Sequence, residues 1–255
     1  MIGASMQSKR HSDILALLES RGTLAVSVLA EMLGVSLETI RRDVKPLVDS
    51  GQMVRSHGAV GLAGHLGEAP FQKRMRDNAE AKRAIARRLA ATMRDGDAVM
   101  LDTGTTTSFL AREMVRLRRL TVITNSSDIA RTLATQNGNR VYMAGGELGA
   151  DNGAAFGRSA IEFVAQFSVT HAVISAGAID AGGIMDFELH EAEFARAVLS
   201  RGERRIVVSD HTKFGRRGLI AVCPLSGIDL LVADRAPPPD IAAALAEAGA
   251  ELLLA

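Results

Sequence analysis

From residue 97 to the C-terminus, short runs of consecutive apolar residues alternate with polar or glycine-bearing turns and with stretches of helical periodicity. The runs are Val99-Met100-Leu101, Val122-Ile123, Val141-Tyr142-Met143, Ala172-Val173-Ile174, Ile206-Val207-Val208, Leu219-Ile220-Ala221, Leu230-Leu231-Val232 and Leu252-Leu253-Leu254. A strand that is apolar at every position is covered on both faces, and alternation with helices predicts a mostly parallel sheet in an α/β domain. Ligands of such sheets bind beyond the carboxyl ends of the strands.

Residues 9–60 follow a different pattern. Ile14, Leu15, Leu17 and Leu18 share a helical face, and Leu24-Ala25-Val26 reads as a short extended piece. Ser27 is placed to cap a helix carrying Leu29, Ala30 and Leu33, which Gly34 ends. Ser36 is placed to cap a third helix with Ile40, Val44, Leu47 and Val48 on one face, closed by Gly51 and followed by a strand at Met53-Val54. Pro46 should bend or loosen the second half of that helix, because it removes a hydrogen bond. Gly61, Gly64, Gly67 and Pro70, followed by charged residues, mark 61–77 as a linker, and Ala79–Met93 reads as an amphipathic helix with Ile85, Leu89 and Met93 on one side. The expected organisation is therefore a small helical domain over 1–60, a linker over 61–77 and an α/β domain over 78–255, with Pro237-Pro238-Pro239 as a stiff joint before a final helix.

Composition narrows this picture. The 255 residues are 47% hydrophobic and 23% charged, which excludes a disordered or fibrous chain. Aromatic residues are only 4%, with no Trp and one Tyr, too few for a protein that stacks single-stranded bases. The net charge of +1 excludes a basic coat, though not a local basic face. The lone Cys223 excludes an internal disulfide and a cysteine metal cluster. No apolar run has the length of a membrane helix and the N-terminus has no apolar signal core, so a cytoplasmic protein without a membrane partner is expected.

The two short helices joined at Gly34 have helix-turn-helix spacing. The second exposes Glu38, Thr39, Arg41, Arg42 and Lys45 opposite its apolar face, with Ser36 at its start. A helix fits the major groove of duplex DNA, where Arg41 and Arg42 would reach guanine edges or phosphates and Ser36 and Thr39 phosphates or thymine methyls. Arg55 and His57 suit a wing against the adjacent backbone. An ordinary solvated face describes the same charges, since 1–60 holds seven Lys/Arg and six Asp/Glu.

In the larger domain, Asp102-Thr103-Gly104-Thr105-Thr106-Thr107-Ser108 follows a predicted strand and opens a predicted helix. Unpaired amides and the helix dipole there favour an anion such as phosphate, Gly104 permits close approach, and the threonines add hydroxyls. A plain helix cap is the alternative. Thr124-Asn125 with Ser126-Ser127 repeats the arrangement, and Gly145-Gly146 marks another strand end or a simple turn. Asp186-Phe187-Glu188-Leu189-His190-Glu191 combines carboxylates with an imidazole, or is a solvated helix start. Lys213, in Asp210-His211-Thr212-Lys213, is placed to neutralise a phosphate, or is a surface lysine.

The string Val35-Ser36-Leu37-Glu38-Thr39-Ile40-Arg41-Arg42-Asp43, followed by Leu47, Gly51, Arg55, His57 and Gly58-Ala59, closely resembles the signature of the DeoR family of bacterial repressors. That signature is V-S-x-x-T-I-R-R-D, then L, G and R-x-H-G-G-A; one glycine stands here where the family has two. Pro70-Phe71, Arg74, Asn78, Lys82, Asp102, Gly104-Thr105-Thr106, Thr124-Asn125, Gly145-Gly146, Gly157 and Lys213 extend the resemblance over nearly the whole remaining chain. It implies a winged helix-turn-helix and an effector domain similar in fold to ribose-phosphate isomerases and CoA transferases. It implies a repressor of a carbohydrate or polyol catabolic operon, released from double-stranded operator DNA by glycerol 3-phosphate or a sugar phosphate. The expected effector residues are Asp102, Gly104, Thr105, Thr106, Thr107, Thr124, Asn125, Gly145, Gly146, His190, Glu191 and Lys213. A homo-oligomer, dimer or tetramer, is implied, and no cofactor, metal or catalytic residue is expected. The alternative is a sugar-phosphate isomerase-like enzyme, which would need a base such as Glu191 or Asp102.

Overall fold

A computed structural model describes residues 2–21, 24–56, 59–62 and 68–255. The chain divides into two compact units, Met1–Ala69 and Pro70–Ala255.

The first unit runs α1 (Ile2–Arg21), β1 (Leu24–Ala25), α2 (Val26–Met32), α3 (Leu37–Asp49), β2 (Met53–Ser56) and β3 (Ala59–Leu62). Ile14 and Leu18 of α1, Leu29 of α2, and Ile40, Val44 and Leu47 of α3 close on Met53 and Val60 to make its core. Three short antiparallel strands in the order β1-β3-β2 flank the helices, the arrangement of a winged helix-turn-helix.

Both α2 and α3 end in the same way. At φ +62°, Gly34 donates to Glu31 while Val35 donates to Ala30; at φ +72°, Gly51 donates to Val48 while Gln52 donates to Leu47. A left-handed glycine satisfying the last carbonyls is how a helix stops sharply. Ser36 caps α3 as expected, its hydroxyl accepting from the Thr39 amide at 3.2 Å. Ser27 does not cap α2. The cap position of that helix is Ala25, two residues earlier, and the helix begins at the buried Val26, directly after β1. Helix α3 continues through Pro46 to Asp49 without interruption. Asp43, 2% exposed, bonds to Arg10 and ties α1 to α3. That pairing raises the Arg10 guanidinium above its already high value.

The second unit runs α4 (Phe71–Arg76), α5 (Ala79–Ala90), β4 (Ala98–Leu101), α6 (Thr105–Met114), β5 (Thr121–Thr124), α7 (Ser127–Leu133), β6 (Arg140–Met143), α8 (Arg158–Val164) and β7 (Val169–Ser175). It continues with β8 (Ala178–Asp180), β9 (Gly183–Asp186), α9 (Leu189–Leu199), β10 (Gly202–Ser209), β11 (Ile220–Cys223), β12 (Leu230–Ala233), α10 (Pro239–Glu247) and β13 (Glu251–Leu254). Helix α4 is formed by residues read above as part of a linker.

Seven strands form one parallel sheet in the order β13-β12-β10-β7-β4-β5-β6. Consecutive side chains of a strand point to opposite faces, and both faces are covered. Val99, Leu101, Val173, Ile206 and Val208 pack with Ile85, Leu89, Leu110 and Ile129 of α5, α6 and α7. Met100, Ala172, Ile174 and Val207 pack with Val164, Phe194, Val198 and Ile241 of α8, α9 and α10. This is why these strands are apolar at every position.

One strand read from the sequence belongs elsewhere. Leu219-Ile220-Ala221 is realised as β11, which joins a small antiparallel sheet in the order β11-β9-β8 and not the parallel one. Strands β8 (AID) and β9 (GIMD) are interrupted by Asp180, Gly183 and Asp186 and do not stand out as apolar runs.

The sheet grows outward in two directions. From β4 the chain adds β5 and β6 on one side, then β7, β10, β12 and β13 on the other. The strand order therefore reverses between β4 and β7, and the carboxyl ends of those two strands border the crevice where open α/β sheets hold ligands.

Candidate functional site

Helix α3 presents Arg41, Arg42 and Lys45 to solvent, with Glu38 3.9 Å from Arg41. Ser36 and Thr39 meet each other, hydroxyl to hydroxyl at 2.9 Å, so both are engaged in the helix start before any outside partner. Arg55 is exposed on β2. His57 lies outside the described residues.

At the reversal point, Asp102 leaves β4 and its two carboxylate oxygens each accept from the Ser175 amide at the end of β7, at 3.1 Å. Burial pushes the Asp102 carboxyl well above its ordinary value; the Ser175 amide opposes this, while Asp186 and Glu191 add to it. Acidic groups from β9 and α9 thus act on Asp102, just beyond β4, at this edge.

Gly104 is extended, at φ 179°, so its backbone conformation would suit any residue. Space forbids one: a Cβ there would lie 1.9 Å from the Ser175 Oγ and 2.8 Å from its Cβ. No side chain caps α6, which leaves its first-turn amides to another acceptor. Thr107 is buried and its hydroxyl donates within the loop, to Asp102 at 3.1 Å and Gly104 at 3.0 Å. Thr105 and Thr106 are each 5% exposed.

The second loop is closed differently. Ser126 caps α7, and the Thr124 hydroxyl accepts from the Ser126 amide. Buried Asn125 donates to the Ala155 carbonyl at 2.9 Å, while its own Oδ1 is buried without a hydrogen bond. Gly145 and Gly146 lie in an exposed turn after β6. His190 is exposed on the first turn of α9, its ring edge-on to Phe156 at 4.5 Å. Glu191 accepts from the Asn152 amide at 3.0 Å. Half-buried Lys213 ends a 3-10 turn after β10, at the same carboxyl edge, capped by buried Asp210.

The structure adds partners that sequence reading missed. Asp151, next to Asn152, accepts the Phe71 amide with both oxygens, at 3.1 and 3.0 Å, and so caps α4. Asn78, left-handed at φ +53°, donates to Asp210 at 3.4 Å. Lys82, 3% exposed, donates to the carbonyls of Arg74 at 2.5 Å and Asp77 at 2.9 Å and closes the other end of α4. Asn78 and Lys82 were visible as landmarks of the resemblance; Ser175, Asp151 and Asn152 carried no local signal.

The chain matches the DeoR C terminal sensor domain over residues 77–235 and the DeoR-like helix-turn-helix domain over residues 10–64. It belongs to the DeoR family. Among relatives, it is similar to the glycerol-3-phosphate regulon repressor of Escherichia coli, 31% identical with 91% of this chain and 92% of that protein covered. It is also similar to the HTH-type transcriptional repressor CsqR of Escherichia coli, 32% identical with 96% and 94% covered. The transcriptional repressor AccR of Agrobacterium fabrum is 34% identical, with 88% of each chain covered. Among solved structures, ribose 5-phosphate isomerase A from Methanocaldococcus jannaschii aligns at TM-score 0.39 and 17% identity, covering 54% of this chain and 55% of that one. This DeoR-family chain is a transcriptional regulator, with the relatives named as repressors and not as enzymes. No helix among the described residues is long and apolar enough to cross a membrane.

Proposed function

We propose that this DeoR-family regulator is a cytoplasmic repressor that binds an operator through α3 and is released by a phosphorylated polyol or sugar held at the reversal point between β4 and β7. The observation that carries the reading is the uncapped start of α6 beside Asp102 and Ser175. The α6 amides and Lys213 receive the phosphate, an anion on helix-start N–H groups with one positive charge at the same strand edge. Asp102, Asp186 and Glu191 meet the hydroxyls of the carbon chain. A carboxyl driven toward its neutral form repels the phosphate less than a carboxylate and can donate to a hydroxyl.

Release needs only that the effector bind the DNA-free state more tightly than the DNA-bound one. The path we assign is the loop at Asp151-Asn152. Asn152 holds Glu191 and Asp151 holds the Phe71 amide, so a shift of Glu191 on ligand binding reaches the cap of α4, the first helix after the DNA-reading unit. A symmetric dimer or tetramer reading a repeated operator fits this mode of action.

The test is an operator-release titration with glycerol 3-phosphate and ribose 5-phosphate, run beside an isomerase assay. Release without turnover supports the reading. Turnover would move the chain to the isomerase-like alternative, and failure of a full panel of phosphorylated polyols and sugars to release it would remove the effector class.

A further inference from the structure

The second unit has an open cleft of about 760 Å3 that none of the candidate effector residues lines. Each of four consecutive helices contributes one arginine to it: Arg76 from α4, Arg83 from α5, Arg112 from α6 and Arg131 from α7. Arg83 and Arg112 lie over the ring of Phe109, their guanidinium carbons 5.6 and 5.3 Å from its centroid. Stacking uses the face of a guanidinium and spares the N–H edge that binds anions; Arg83 gives one of its N–H groups to Glu80, which is not part of the lining, and keeps the others. Asp128 lies 3.9 Å from Arg112 and 3.7 Å from Arg131, beyond hydrogen-bond distance, so it draws both toward the cleft without taking up their donors. The other carboxylate of the wall, Asp151, is occupied by the Phe71 amide. Positive charge exceeds negative in this lining.

We propose that the cleft is a second anion site, separate from the strand edge, for a small metabolite bearing at least two phosphoryl groups. One phosphoryl group is bracketed by one or two guanidinium forks, whereas here four come from four helices around a volume typical of small-molecule sites. Because α4 and Asp151 are part of the wall, an anion bound there bears on the same helix that the strand-edge site reaches through Asn152. The proposal stands whether or not the strand edge takes a phosphorylated effector.

The test is titration calorimetry of the full chain with pyrophosphate and with orthophosphate at one ionic strength. Pyrophosphate is expected to bind at least about tenfold more tightly than orthophosphate, as expected when added charge-assisted hydrogen bonds are made. Arg131→Glu changes an exposed side chain whose partner is Asp128, so the fold is retained, and it should weaken pyrophosphate binding at least about tenfold. Arg83→Gln with Arg112→Gln should do the same, while the control Arg158→Glu, on exposed α8 surface, should leave it unchanged. The proposal is overturned if the wild type binds no pyrophosphate, or if Arg131→Glu and the Arg83→Gln, Arg112→Gln pair bind it as tightly as the wild type. It is equally overturned if Arg158→Glu weakens binding as much as Arg131→Glu, which is general attraction to a charged surface.

Discussion

Asp102 is a carboxyl group that burial drives toward its neutral form, against the pull of the Ser175 amide. From the ordinary value of 3.8 up to its raised value, the folded chain holds a proton that the unfolded chain has released. Stability therefore falls as pH rises through that window and levels off above it. Asp102→Asn keeps an oxygen for the Ser175 amide and removes the ionisation. In urea unfolding, the variant should be more stable than the wild type at pH 8, with the gap closing toward pH 4; a gap independent of pH would mean that Asp102 ionises freely. Gly104 has its own test. Its missing Cβ is space taken by Ser175, so Gly104→Ala should cost about 1–3 kcal/mol, the range for overpacking a tight site. Ser175→Gly should recover part of that loss in the double variant. Asp102 and Gly104 were legible as residues of a strand–loop–helix, but the reason for Gly104 was not. The sequence suggests a ligand's approach, and the structure finds a serine from a strand far along the chain.

Helix α3 is the element most completely legible in the chain. Its cap at Ser36, its buried stripe through Ile40, Val44 and Leu47, and its stop at Gly51 are all local signals, and all three are realised. What is exposed follows by subtraction. Arg41 and Arg42 are two of the cations left on the outer face, and a good bidentate base contact is worth about 1–3 kcal/mol of discrimination. Arg41→Ala with Arg42→Ala should abolish operator binding in a gel-shift titration, with unfolding midpoints near wild type because neither side chain is buried. Retained operator affinity would move the reading surface elsewhere. Elements defined by distant partners were less visible. Strand β11 looks apolar enough for the main sheet, but its neighbour β9 lies in a hairpin whose short apolar pairs are interrupted by Asp180, Gly183 and Asp186. Helix α4 reads as linker in the sequence because its caps, Asp151 and Lys82, are supplied by residues outside it.

At the scale of the whole molecule, the proposed release by effector requires that sensing and DNA reading be coupled by a free energy that is the same measured from either end. The ratio of operator affinities without and with effector equals the ratio of effector affinities without and with operator. Two substitutions separate the parts of this scheme. In the proposed site Lys213 supplies charge to the phosphate, and hydrogen bonds to charged groups contribute roughly 1.5–3 kcal/mol, so Lys213→Ala should weaken effector binding at least about tenfold. Operator affinity should stay as in the wild type, giving a repressor that needs proportionally more effector for release. Asp151→Ala should act in the opposite sense. Asp151 is absent from the strand-edge contacts but caps α4, so effector should still bind to the free protein with near wild-type affinity while the coupling ratio shrinks toward one. Calorimetry with and without operator duplex measures both quantities in each variant. If Asp151→Ala leaves the ratio intact, the signal does not pass through the cap of α4. If Lys213→Ala leaves effector affinity intact, the phosphate is not held at the end of β10.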